Sequence, residues 1–254
     1  MPETGFLQPG WPAPSGVRAL STTRLGGVST GPYASFNLGR HVGDDPAAVS
    51  ANRARLRQSA GLPGEPVWLD QQHGVEVLNL DDDHSQIEVF RADAAVASRS
   101  GRVCAVLTAD CLPVLLTDQA GSRVGAVHAG WRGLAAGVIE QAVTAMVVPA
   151  AELIAWLGPC IGTERFEVGP EVRDAFLAGD EGAAACFRAG RGDRWHTDLP
   201  ALARRRLIAL GVSSVTAAAA CTFEESHRFY SFRRDGACGR MATLIWREGE
   251  HPSA

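Results

Sequence analysis

The chain contains no lysine, and all 24 of its basic residues are arginine. That absence removes every mechanism built on a lysine amine, so Schiff-base, pyridoxal phosphate, biotinyl and Walker-type P-loop chemistry are excluded. Any anion clamp has to be made from arginine, histidine or backbone N–H groups, of which arginine offers the planar, bidentate fit to phosphate or carboxylate. The six cysteines, at 104, 111, 160, 186, 221 and 238, include no CxxC pair, which excludes a zinc ribbon and a thioredoxin-type site. No apolar run approaches the roughly 20 residues that cross a bilayer. Residues 1–10 carry Glu3 in place of a basic stretch and have no apolar core, so no secretory signal is read and a cytoplasmic address is expected.

Internal repeats and low-complexity linkers are also missing, and 254 residues with 46% hydrophobic and 20% charged composition fit one large soluble domain. The net charge of −4 is evenly spread, with 10 basic against 13 acidic residues before Val127 and 14 against 15 after it. Neither half has the basic surface of a nucleic-acid-binding protein, so neither a nucleic acid nor a membrane is expected as partner.

Residues 21–45 are rich in Gly, Ser, Thr and Asn without periodicity and read as an extended polar loop, of a length that is often functional. Residues 46–60 read as an amphipathic helix started by Asp45 and Pro46, with Val49, Arg53 and Leu56 on one side and Gly61 at its end. Strands are expected at 67–69, 75–80, 92–97, 103–107, 113–117, 123–128, 153–157, 212–219, 229–232 and 241–246. A helix is expected from Leu134, with Leu134, Val138, Val143 and Met146 on one face, and another within 166–177. A third covers 198–210, placing Leu199, Leu202, Leu207 and Leu210 against the core and the three arginines 204–206 on a solvated face. Helices and strands in this order predict an α/β layered fold.

Three segments put a metal-type side chain at a predicted strand end: Gln72-His73-Gly74, Ala109-Asp110-Cys111 and Val127-His128-Ala129-Gly130. Two imidazoles and a thiolate match the N and S donors zinc prefers, and three protein ligands leave a fourth position for water or substrate. The three lie 38 and 17 residues apart, a spacing that specifies nothing until a fold brings them together. An unmetallated alternative stands beside this one, with Cys111 as nucleophile and His73 or His128 as its base. In HAGWRG, Gly130 and Gly133 permit close backbone approach, while Arg132 and the N–H groups of the following helix favour an anion. Arg233 and Arg234 follow the aromatic run FYSF, and Arg24 lies in TRLGGVS. Arginines beside aromatics suit a phosphate and a planar base.

TRLGGVSTGPYASFNLG, HVGDDP, LDQQHG, VLTADCLPVLL, VHAGWRGLAAGVIE, LGPCIG, FEVGPEV, CTF, FYSFRRDGACGR and ATLIW follow one another from about residue 21 to 246. Together they resemble the bacterial proteins catalogued as multicopper polyphenol oxidases or laccase-domain proteins, which are also regarded as zinc-dependent purine nucleoside phosphorylases that deaminate adenosine. The resemblance implies a single-domain α/β/β/α sandwich with mixed sheets over residues 1–254, related to the cytotoxic necrotising factor catalytic domain. It implies that His73, Cys111 and His128 bind the metal, zinc with copper as the alternative. It further implies phosphorolysis of adenosine, inosine and methylthioadenosine to free base and ribose 1-phosphate, so purine nucleosides and phosphate are the expected partners.

The family's GWRG and SFRR arginines match Arg132, Arg233 and Arg234, and Asn37 and His41, in the matching FNLG and HVGDD, join Arg24 as candidates to line substrate. His73, Cys111, His128 and Asp110 are the candidate catalytic residues, Asp110 either handling a proton or orienting a metal-bound histidine. The alternatives are a copper-dependent polyphenol oxidase, a Cys111-dependent amide hydrolase acting on cell-wall precursors, and a binding protein without turnover. Seven histidines, most of them dispersed, furnish a trinuclear copper cluster poorly.

Overall fold

The computed structural model describes residues 5–85, 89–212 and 214–249; His251 lies outside these. Strands Val103–Thr108, Leu112–Asp118 and Val124–Ala129 are buried along their whole length. Their near-continuous apolar sequences have a simple cause, since a strand covered on both faces has no solvent side on which to place polar residues.

Alternation along the strands sorts their side chains into layers. Cys104, Val106, Leu115, Val124, Ala126, Trp156 and Ile245 meet between two stacked sheets. Val103, Ala105, Leu107, Ala242 and Leu244 turn the other way, onto Leu56 of helix Pro46–Ser59. Val114, Leu116, Val127 and Leu157 face Leu134, Val138, Ile139, Phe176 and Leu202 on a second helical layer. The result is the single-domain α/β/β/α sandwich with mixed sheets.

The first sheet is antiparallel, in the order Phe6–Leu7, Val17–Thr22, Met241–Arg247, Val103–Thr108. The second has six strands, in the order Ser214–Ala217, Leu153–Leu157, Leu112–Asp118, Val124–Ala129, Ala94–Ala97, Val77–Asn79, with parallel pairs at its two edges. A small antiparallel sheet of Phe187–Ala189, Trp195–Thr197 and Glu167–Val168 stands apart.

Helix Pro46–Ser59 starts as expected, the Asp45 carboxylate accepting the Ala47 N–H at 2.9 Å with Pro46 in the first turn. Several expectations are corrected. The helix placed from Leu134 begins at Trp131 and is broken into Trp131–Ala136 and Val138–Ala145 by Gly137, whose φ of 105° ends one helix and opens the next. The strand at 67–69 is reduced to a bridge between Val67 and Cys104, and the one at 75–80 to Val77–Asn79. The strand at 229–232 does not form, because Ser231 caps a helical turn, Phe232–Asp235, by accepting the Arg234 N–H. Of the strand at 212–219, Ser214–Ala217 is described, and residue 213 lies outside the described residues.

Arginines 204–206 are not a solvated face. Arg206 meets Glu140 at 2.5 Å and the Ala135 carbonyl at 3.0 Å, Arg205 grips Asp180 with two donors, and Arg204 donates to the Val215 carbonyl. Their long stems carry the charged heads past the packed helix surface to acceptors on neighbouring elements. All six cysteines are free thiols. Among the described residues no helix is long and apolar enough to cross a membrane.

Candidate metal centre

His128 is the fifth residue of strand Val124–Ala129, two places beyond Ala126 and so on the face turned toward the other sheet. Strand register sets Leu112 opposite Ala129, which brings Cys111, the residue before Leu112, to the same end of the sheet. His73 arrives from the QQHG loop in the left-handed region, with φ of 58°. One donor atom from each of His73, Cys111 and His128 lies within 4.8 Å of the others, and Cys111 Sγ is 3.8 Å from His73 Nε2. The imidazoles of His73 and His128 meet edge to face, with centroids 4.8 Å apart. His128 is buried, Cys111 partly so and His73 exposed, so the cluster opens to solvent on the His73 side.

A residue not singled out in the sequence organises this centre. Asp93 is buried at the head of strand Ala94–Ala97 and accepts a hydrogen bond from His128 Nδ1 at 2.8 Å. It also accepts the backbone N–H groups of Gln72, His73 and Gly74 at 3.1, 2.9 and 2.7 Å, which holds His73 in its left-handed conformation. Nδ1 of His128 is thereby the protonated nitrogen, and Nε2 is left to face Cys111 and His73. The available signal was a carboxylate leading the apolar run ADAAVA, where an uncompensated charge would be costly to bury.

Two glycines of GWRG are steric requirements. A Cβ at Gly130 would lie 2.8 Å from the His73 ring and 3.1 Å from Cys111 Sγ, and one at Gly133 would lie 2.6 Å from the Gly74 carbonyl. At Gly133 only a bare backbone lets the helix Trp131–Ala136 close against the QQHG loop, while at Gly130 an added methyl would push the His73 and Cys111 side chains out of the cluster.

Burial alone would raise the Cys111 thiol, but the charge of His128 and hydrogen bonds from both imidazoles outweigh it and bring the thiol down. Burial would lower His128, yet the Cys111 thiolate and the Asp93 carboxylate push it up. The pair is therefore an anionic sulfur beside a cationic imidazole, a charge pattern that a divalent cation replaces by displacing the imidazolium proton. Bonds of roughly 2.1 Å to nitrogen and 2.3 Å to sulfur put tetrahedral donors about 3.5 Å apart, close to the spacing seen here. The donor set thus fits a metal ion with one face open, as in catalytic centres. Among the described residues no other group of three such side chains gathers, and His84 is engaged with the Asn79 carbonyl.

The remaining candidates divide by what they already hold. Asp110, at φ of 92°, touches no histidine. It accepts hydrogen bonds from Thr222, Ser231 and the Arg233 N–H at 2.7, 3.0 and 2.7 Å, so it locks the TADC turn to the C-terminal segment and does not orient a ligand. Asn37 is fully buried, its amide shared among Gly39, Asp44 and the Arg240 N–H. Every donor of Arg234 is spent on Thr222, Phe223, Phe229 and Asp235. Arg24 donates to the Ala34 and Ser226 carbonyls and stacks on Tyr230. Arg132, exposed, only covers the Trp131 ring, and Arg233 donates a single side-chain bond, to the Glu167 carbonyl. Partial desolvation and then the Arg240 charge hold the His41 imidazole below its ordinary value, and His128 adds to the same effect.

The sandwich and the open His–Cys–His cluster define an α/β protein with a candidate metal centre of the catalytic kind. Residues 18–248 match the family described as Multi-copper polyphenol oxidoreductase laccase, and the chain belongs to that family. It is 50% identical over 241 residues to the purine nucleoside phosphorylase YfiH of Escherichia coli, covering 95% of this chain and 98% of that protein. A purine nucleoside phosphorylase of Pseudomonas aeruginosa is 51% identical over 242 residues, with the same coverage of 95% and 98%. Among solved structures, a protein of Neisseria meningitidis superposes with a TM-score of 0.92 at 48% identity, over 97% of this chain and all of that one. YlmD from Geobacillus stearothermophilus superposes with a TM-score of 0.87 at 29% identity, over 98% of each.

Proposed function

We propose that this chain is a cytoplasmic zinc-dependent purine nucleoside phosphorylase that converts adenosine, inosine and methylthioadenosine with phosphate to free base and ribose 1-phosphate, and that the same centre deaminates adenosine. The observation that carries this reading is the cluster of His73, Cys111 and His128, open on one side, in a chain half identical to proteins named for that activity. These three side chains would hold the metal, which when bound supplies Lewis acidity to a donor atom of the nucleoside.

In phosphorolysis a phosphate oxygen bonds to the ribose anomeric carbon while the glycosidic C–N bond breaks and its electron pair leaves on the purine. Arg132 and Arg233, whose guanidinium donors are largely uncommitted, are the groups to bind and orient the phosphate. His41, whose imidazole partial burial and the Arg240 charge keep below its ordinary value, is the histidine we assign to line the substrate. Asn37, Arg24 and Arg234 shape the loops that carry these groups. A copper oxidase is not favoured, because the described histidines outside the cluster do not assemble a second centre.

The experiment is base release from inosine and adenosine by the purified protein, with and without phosphate, before and after chelation and restoration with zinc or copper. Release that needs both phosphate and zinc is expected, together with conversion of adenosine to inosine. No release under any condition overturns the reading. Hydrolytic activity that survives chelation but ends on alkylation of Cys111 replaces it with a thiol hydrolase.

A further inference from the structure

Away from the metal centre, three guanidinium groups and a single carboxylate, that of Glu65, line one cleft of about 610 Å³. Arg53 and Arg57 project from successive turns of helix Pro46–Ser59, and Arg40 reaches in from the short turn Arg40–Val42. Glu65, the acidic residue of the cleft wall, is engaged with the Trp68 indole N–H at 3.0 Å. None of the three arginines forms an ion pair with a described residue, whereas Arg205, Arg206 and Arg228 elsewhere each have an acidic partner.

Arg53 is the unusual member. It is 9% exposed and the one arginine among the buried described residues. Buried charges are ordinarily paired. Here Nε and Nη2 both donate to the Leu38 carbonyl, at 3.0 and 2.8 Å, and the guanidinium carbon lies 3.9 Å from the centroid of the Trp68 ring. These contacts fix its orientation without an ion pair, the charge of Glu65 offsets its own only in part, and Nη1 donates to no described protein atom. Burial, followed by the charge of Arg40, brings Arg53 down to about 10, so two cations of the cleft wall already repel each other. Arg40 has a single long contact, 3.4 Å to Ser50 Oγ, and Arg57 is exposed.

We propose that the cleft between Arg40, Arg53 and Arg57 is a binding site for a phosphate group, either the free ion or a phosphate monoester, distinct from the metal centre. Three guanidiniums against one carboxylate match a dianion, and arginine forks suit the oxygens of a phosphate. The rigid member of the site is Arg53, held by Leu38 and Trp68; Arg40 and Arg57 close on the ion from the rim. This inference does not depend on the proposed reaction.

The test is titration calorimetry on chelator-treated protein with inorganic phosphate in one arm and glycerol 3-phosphate in the other. Saturable binding is expected in the wild type, with one component weakened at least about tenfold in Arg40→Ser/Arg57→Ser and that same component kept in Arg132→Ser, which acts on the phosphate position proposed at the metal centre instead. Phosphate should also raise the melting temperature of the wild type by more than that of the double variant. Binding of both probes assigns an ester-tolerant site, and binding of phosphate alone assigns a site for the free ion. Unchanged affinity in the double variant, loss of all binding in Arg132→Ser, or no saturation in the wild type overturns the proposal. Arg40 and Arg57 are exposed, so their replacement leaves the fold intact and the comparison valid.

Discussion

The carboxylate of Asp93 accepts His128 Nδ1 at 2.8 Å and, with its other lone pairs, three consecutive backbone N–H groups of the loop that carries His73. One buried side chain therefore aims two of the three candidate ligands, which come from parts of the chain 55 residues apart. Asp93→Asn keeps the volume but replaces part of the acceptor surface with an NH2 group facing donors. Metal affinity, read by competition with a chromogenic chelator, should fall roughly 10- to 100-fold while the protein stays folded. Asp93→Ala strands every one of those donors and should cost about 3–5 kcal/mol in denaturant unfolding.

Gly130→Ala separates the site from the fold. The backbone at Gly130, with φ of −63° and ψ of 154°, suits alanine, yet the added methyl would meet the His73 ring at 2.8 Å and Cys111 Sγ at 3.1 Å. Unfolding free energy of the metal-free protein should move by less than about 1 kcal/mol. Metal affinity should drop at least about tenfold, and activity with it. Full metal binding by this variant would show that the three donors do not converge as described.

In the metal-free protein, burial raises the Cys111 thiol but His128 overcomes it and brings it to about 6, while His128 itself, lowered by burial, is pushed up to about 9 by Cys111 and Asp93. The depressed Cys111 contributes stability above the ordinary thiol value, lost as pH falls through about 6; the raised His128 contributes stability below its ordinary value, lost as pH rises through about 9. Between these limits the two contributions run in opposite directions and largely offset, so the stability of the wild type should stay nearly flat across them, and Cys111→Ser, which removes the rising contribution, should leave stability falling as pH rises toward about 9. The ultraviolet absorbance of the thiolate should be present at neutral pH and disappear on acidification. Iodoacetamide at neutral pH should modify Cys111 well ahead of the buried Cys104 and Cys160, whose thiols burial raises, and bound metal should protect it.

Asp110→Asn tests whether this carboxylate is structural or moves a proton. Its three donors all belong to the segment 222–233, so the variant should lower stability by roughly 2–4 kcal/mol. Metal content and the pH profile of the residual activity should match the wild type. A profile that loses one limb would instead make Asp110 a proton-transfer group.

Much of the architecture was legible because the physics behind it is local. Asp45-Pro46 announces a helix start, and residues 153–157 alternate toward two cores while being apolar throughout, so helix and strand fall where expected. The misreadings came from the same kind of residue pattern with a different tertiary answer. FYSF has strand composition, but Phe229 and Tyr230 are buried in a turn capped by Ser231. Three adjacent arginines suggest a wet surface, but their acceptors sit on helices and strands distant in sequence.

From the sequence alone came the residues able to do chemistry: two histidines and a cysteine at strand ends, a glycine on each side of Trp131-Arg132, and the exclusion of all lysine mechanisms. These follow from side-chain chemistry and backbone permissiveness, which a residue carries wherever it lies. The tertiary structure decided which of them meet. Strand register, not spacing, brings Cys111 and His128 to the same end of one sheet, and Asp93 draws the His73 loop to them. It also separated arginines with donors to spare, such as Arg132, from those like Arg234 that are spent on the fold. Hydrogen-bond valence is finite, and only the folded chain shows where it has been used.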